Sequence, residues 1–235
     1  MLTLLAIAQA FALELGPSLD GAVAVGAAEV EVPAQDTGGA WGSCSDQSLR
    51  DGVQLPALPF FYSRIAPNDA WGTPTLVDLV IAAGRHMSWT MPKASPFAVG
   101  DLSRRFGGPS VGHISHRGGV DADIGLYRQG GFQARNQFLD LAPSQVDLAA
   151  TWELMRFFLD SGMVDFILLD RGHIVRIKAF TLSQGLLTHE EAARVFPVEG
   201  SREAWQTTGI VRHAAHHRDH MHVRVLCADG TRAGF

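Results

Sequence analysis

The chain has 235 residues, 46% hydrophobic and 18% charged, which is room for one large domain or two small ones around a buried core and excludes a disordered composition. Nineteen basic side chains face 24 acidic ones, a formal charge of −5, so a general basic field for holding nucleic acid is excluded. Two cysteines, Cys44 and Cys227, are too few for a disulfide-stapled miniprotein or a cysteine-rich zinc module, and no internal stretch reaches the ~18 consecutive apolar residues of a membrane span.

Residues 1–20 read as a possible signal peptide. The segment is apolar and uncharged before Glu14, with small residues around Ala8 to Ala12, but it has no basic start. Residues 21–40, rich in Gly, Ala and Pro, read as a linker, and residues 41–235 as one α+β domain. The prolines at 56 and 59 make residues 52–61 irregular or edge structure. Thr73-Pro74 predicts a helix start, with Leu76, Val77, Leu79, Val80 and Ile81 buried and an end near His86. Residues 120–127 read as a strand. Ser144 is a candidate cap for a second helix running to Asp160 and stopped by Gly162. Residues 164–169 form a short apolar run suited to a buried strand. Thr188 and Glu191 match a capping box opening a short helix to Phe196, and residues 221–226 read as a further strand.

Seven of the ten histidines fall in two short segments, His113 with His116, and His213, His216, His217, His220 with His222. The first segment continues through Gly118 and Gly119, suited to a turn, into Asp121-Ala-Asp123-Ile124. In a strand Asp121 and Asp123 share one face while Ala122 and Ile124 turn to the core. Two carboxylates side by side repel, and a cation offsets that repulsion. In the second segment His220, His222 and Arg224 share a face, with Met221, Val223 and Val225 opposite. Imidazoles plus one carboxylate are an ordinary zinc set, and a catalytic zinc keeps one position open. Spacing alone leaves open which histidine of each segment binds. For Arg224, holding a substrate carboxylate and a structural ion pair are equally open. His213 and His216 read as surface loop residues, and His86, His173 and His189 as plain surface or helix-end residues.

The pattern His116-x6-Asp123 followed by His220-x-His222 resembles the signature of the zinc peptidases of the lysostaphin, D-Ala-D-Ala carboxypeptidase and hedgehog group. With Gly42-Ser-Cys44, Trp71-Gly-Thr-Pro-Thr-Leu-Val77, Gly112 to Ile124 and His217 to Arg224, the chain resembles the penicillin-insensitive murein endopeptidases over roughly residues 41–229. Arg117 stands where that family usually has glutamine. The resemblance implies a hedgehog/D-Ala-D-Ala-peptidase-like fold, an antiparallel sheet carrying the zinc site and flanked by helices. It implies one zinc per chain held by His116, Asp123 and His222. His220 and His217 take active-site positions, with His220 favoured as the acid-base group and His217 for oxyanion support, and His113 matches a further histidine at the rim. For Asp121, orienting a ligand or its loop and serving as a plain hydrogen-bonding loop carboxylate are both open.

The implied reaction is hydrolysis of peptidoglycan cross-links, at the D-alanyl–meso-diaminopimelyl bond, by a zinc-activated water with no serine nucleophile. The stem peptides of peptidoglycan are the implied partner, and the periplasm is the implied location. There Cys44 and Cys227 could be bridged. A D,D-carboxypeptidase or dipeptidase of the same group is one alternative, and a zinc-dependent binding module without turnover is another.

Overall fold

The computed structural model describes residues 48–109 and 115–226. The expected signal peptide and linker, together with Cys44, His113 and Cys227, lie outside the described residues, and so does the expected disulfide. The described residues fall within one compact unit, Val32–Phe235.

In chain order the elements are β1 (Val53–Gln54), β2 (Tyr62–Arg64), β3 (Trp71–Gly72), α1 (Pro74–Thr90), β4 (Phe97–Val99), β5 (Asp121–Gly125), α2 (Leu148–Asp160), β6 (Val164–Leu169), α3 (Arg171–Ser183), α4 (His189–Val195), α5 (Arg202–Thr207), β7 (Val211–His213) and β8 (His220–Val225). β1 and β3 form a small antiparallel pair. The other strands form a six-stranded sheet in the order β2-β4-β5-β8-β6-β7. Its centre, from β4 to β6, is antiparallel. Both outer pairs are parallel, β2 with β4 and β6 with β7. The fold is therefore α+β with a mixed sheet: the expected antiparallel pairing holds where β5 and β8 carry the site, and is corrected at the outer pairs, which are parallel. The reason lies in the connections: α1 carries the chain between β2 and β4, and α3 to α5 carry it from β6 to β7, and such crossovers return a strand in the same direction.

The two-residue alternation sorts the central strands. Ala122 and Ile124 of β5, Met221, Val223 and Val225 of β8, and Ile167 of β6 are buried in the core under α1 and α2. Leu76, Val80 and Ala83 of α1 and Leu154, Met155 and Phe158 of α2 supply the other side of that core. The opposite face of β5 and β8 carries Asp121, Asp123, His220, His222 and Arg224.

Helix α1 begins as expected, with the Thr73 hydroxyl accepting from the Leu76 amide at 3.3 Å. It runs past His86 to Thr90 and stops where Met91 precedes Pro92, a residue disfavoured in the helical region. Helix α2 ends at Asp160, and Gly162 takes a left-handed φ of 68°. Its cap, however, is Asp147, not Ser144. The Asp147 carboxylate accepts from Ala150 at 3.0 Å and from Gly131 at 2.9 Å, whereas Ser144 sits in a preceding 3-10 turn. The Thr188–Glu191 capping box opens α4.

Candidate metal centre

Register places the functional side chains. Across β5 and β8, Asp123 lies opposite His222 and Asp121 opposite Arg224. His116 comes from the loop before β5, with a left-handed φ of 61°, an uncommon conformation outside glycine. Two hydrogen bonds hold it there: its backbone N–H donates to Asp121 Oδ2 at 3.1 Å, and its ring Nδ1 donates to the Leu102 carbonyl at 2.9 Å. The segment from Trp71 to Val77 braces the same loop. Thr73 N–H donates to the Gly119 carbonyl at 2.8 Å, and a Cβ on Gly72 would stand 3.3 Å from that oxygen.

His116, Asp123 and His222 are all buried, and each offers a ligand atom within 4.8 Å of the others. One oxygen, Asp123 Oδ1, is 3.1 Å from His116 Nε2 and 3.1 Å from His222 Nδ1. With Nδ1 of His116 donating to Leu102, its Nε2 meets Asp123 Oδ1 with either a proton or a lone pair. A lone pair aimed at a carboxylate oxygen needs a proton or a cation between them. His222 is held at its far side, where Nε2 meets Asp121 Oδ1 at 2.9 Å. Both imidazoles thus have one nitrogen fixed by an oxygen acceptor and the other turned toward Asp123. This is how metal-binding histidines are oriented in proteins, and the donor set fits zinc.

The electrostatics agree. Burial opposes the charged form of Asp121, but hydrogen bonds and charge from His222 and Arg224 outweigh it and hold the carboxyl well below its ordinary range. Asp123 is likewise depressed against its burial, by His116 and His222. Burial pushes His222 down, yet Asp121 and Asp123 together raise it to about 9. The two buried carboxylates share their face with the guanidinium of Arg224, whose Nε donates to Asp121 at 2.6 Å. A cation at the ligand atoms would balance the second carboxylate in place of the proton on His222. Arg224 is engaged in this ion pair and stacks over Phe166 at 5.2 Å.

His220 and His217 border the cluster. His220 Nε2 lies 3.5 Å from Asp123 Oδ1, and its Nδ1 is 2.6 Å from Asp219 Oδ1. The hydrogen bond from His220 is the first cause of the lowered Asp219 carboxyl. The His217 ring is 4.9 Å from that of His220, and its Nδ1 donates to the Ala215 carbonyl at 2.7 Å, which leaves Nε2 as an acceptor. Burial pushes His217 down to about 4. Exposed His216, with a φ of 65°, makes the turn just before it. His213 is half-buried on β7, where its Nδ1 accepts from the Arg171 amide at 3.0 Å.

Three residues near the cluster have no counterpart in the sequence reading. Asp219 follows no spacing rule, Leu102 acts through a backbone carbonyl, and Phe138 stacks on His220 at 5.0 Å from a distant loop. His173 is a correction. Expected at the surface, it is 1% exposed on α3, and Nε2 donates to the Arg218 carbonyl at 2.9 Å, bracing the loop that carries His217. His86 is also no plain surface residue, since it bonds Glu153 at 2.6 Å.

No curated protein matches the chain. The matched family segment, residues 40–149, contains His116, Asp121 and Asp123, while the strand with His220 and His222 lies after it. The family whose model matches this chain over that segment is the penicillin-insensitive murein endopeptidase family.

Proposed function

We propose that this chain is a zinc metallo-endopeptidase that hydrolyses the D-alanyl–meso-diaminopimelyl cross-links of peptidoglycan in the periplasm, built on a hedgehog/D-Ala-D-Ala-peptidase-like arrangement. The match over residues 40–149 supports a peptidase acting on peptidoglycan. The observation that carries the zinc reading is the buried trio His116, Asp123 and His222, with both imidazoles held from behind by Leu102 and Asp121.

His116 Nε2, one Asp123 oxygen and His222 Nδ1 would hold the ion and leave one position open. Zinc supplies a lowered pKa for a water in that position and polarises the scissile carbonyl. His220 Nε2 faces the centre and takes the proton of the attacking water. Asp219 keeps Nδ1–H oriented and stabilises the imidazolium that forms, and His220 then passes the proton to the leaving amine nitrogen. His220 rather than His217 is the proton carrier because its Nδ1 has the Asp219 carboxylate as partner, whereas that of His217 has a backbone carbonyl. With Nδ1 bonded to the Ala215 carbonyl, His217 presents an acceptor at Nε2, so its support of an oxyanion requires the other tautomer, with the ring proton on Nε2 and the Ala215 bond given up. No serine is acylated on this route, which makes the activity indifferent to β-lactams.

The test is digestion of purified sacculi by zinc-loaded protein, with products identified by mass. Conversion of cross-linked dimers to monomers is expected. Loss of only terminal D-Ala would instead make the chain a carboxypeptidase, and no released product from zinc-loaded protein would refute the hydrolase reading. Asp123→Ala and His222→Ala should each lose most of about one zinc per chain. Wild-type zinc affinity in both would end the ligand assignment.

A further inference from the structure

We propose that Phe138 is a positioning residue, fixing the plane of the His220 imidazole from a socket left by two glycines; this rests on the reading of His220 as proton carrier. The Phe138 ring stacks on His220 with centroids 5.0 Å apart and planes 21° from parallel. It reaches that place because two backbone positions beneath it lack side chains. A Cβ on Gly100 would stand 2.6 Å from Phe138 Cζ, and one on Gly125 would stand 3.2 Å from Cδ1. Gly125 is the cross-strand partner of His220, so Gln133 Oε1 and the edge of the Phe138 ring together fill the place where a side chain beside His220 would stand.

The loop carrying Phe138 is tied to β4 and β5. Buried Gln133 donates to the Gly125 carbonyl and accepts from the Ala98 amide, each at 2.8 Å. Gln133 N–H donates to Ser95 Oγ at 2.7 Å.

The stack and the Asp219 bond constrain different motions. Asp219 grips the ring edge at Nδ1. A single hydrogen bond fixes where that nitrogen points but lets the ring tilt about it. A flat aromatic surface against the ring face removes the tilt, and so holds Nε2 at its 3.5 Å approach to Asp123. An aliphatic side chain of similar bulk fills the socket without presenting a flat face.

The experiment compares Phe138→Leu and Phe138→Tyr with wild type in the full zinc-loaded chain. His220 ring C–H resonances, assigned by their loss in His220→Gln, should lie upfield in wild type and in Phe138→Tyr, and move downfield in Phe138→Leu. Turnover on cross-linked muropeptide should fall by on the order of 10–100-fold in Phe138→Leu, with KM within roughly two-fold and zinc content unchanged, and Phe138→Tyr should restore it. Unchanged His220 resonances, or unchanged kcat, in Phe138→Leu overturn the proposal. The resonances do not depend on turnover. A wild-type chain inactive on sacculi would therefore sink the hydrolase reading alone, and resonances that ignore Phe138 would sink the clamp alone.

Discussion

Removing Asp121 should weaken metal binding and folding together, and a second substitution at Arg224 separates the two. The two Asp121 oxygens accept from His222 Nε2, from the His116 backbone, and from Arg224 through Nε and an Nη. Asp121→Ala therefore frees the far nitrogen of one candidate ligand, His222, loosens the strained backbone of another, His116, and leaves the Arg224 side chain, 13% exposed, without its carboxylate. Loss of an orienting partner behind a metal ligand typically weakens binding 10–100-fold, or about 1.4–2.7 kcal/mol. The unpaired guanidinium adds a folding cost of about 3–5 kcal/mol, toward the lower end because Arg224 keeps the Phe166 face and some water. The two effects separate in Asp121→Ala/Arg224→Met, which has no charge to strand. Urea unfolding of metal-free protein should show stability largely regained in the double variant, while chelator competition should show zinc affinity still weak. Wild-type zinc affinity in Asp121→Ala would refute the orienting role. Affinity restored together with stability would show that Asp121 acts on the metal only through the fold.

His220→Ala should keep its zinc and lose about 10²–10⁴-fold in turnover, measured on one preparation; loss of zinc with activity would make His220 a ligand. Acid stability should depend on His217. Its folded pKa of about 4 lies below the ordinary 6.5, so its contribution is fully present above 6.5 and is lost as pH falls from there through 4. Urea midpoints at about pH 7 and about pH 4.5 should therefore differ less in His217→Gln than in wild type, and equal slopes would count against the buried neutral ring. Ile124→Ala, in the core directly behind the site face, should cost about 2–5 kcal/mol by denaturant unfolding, whereas Thr73→Ala should cost about 1 kcal/mol through the lost cap of α1.

How much of this was legible in sequence follows from which contacts are local. The two-residue period of a strand is local, so the sorting of Asp121 and Asp123 from Ala122 and Ile124, and of His220 and His222 from Met221 and Val223, could be read directly. Helix α1 was legible because its cap, its proline and its apolar run lie in one stretch. Helix α3 was not. Gly172 and the β-branched Ile174, Val175, Ile177 and Thr181 are poor helix formers, and of its apolar residues only Ile174 and Ile177 are buried, so packing rather than propensity makes it helical. Without α3 the burial of His173 could not be foreseen.

Asp219 was hidden by the same alternation rule that sorts Asp123 and His222 onto one face. Alternation places neighbours on opposite faces of a strand, and so argues that Asp219 cannot serve His220. Yet Asp219 precedes the first residue of β8, where the chain is still turning, and there its carboxylate can curl back to Nδ1 of the next residue at 2.6 Å. The Leu102 carbonyl and the Phe138 ring reach the site from loops set by the sheet order, with β4 and β8 on either side of β5. Two of the three candidate ligands, Asp123 and His222, come from a pattern carried along two strands, and the third, His116, from the loop before β5. The groups that aim those ligands, and the histidine beside them, come from strand ends and crossings, and only the assembled sheet brings them within bonding distance.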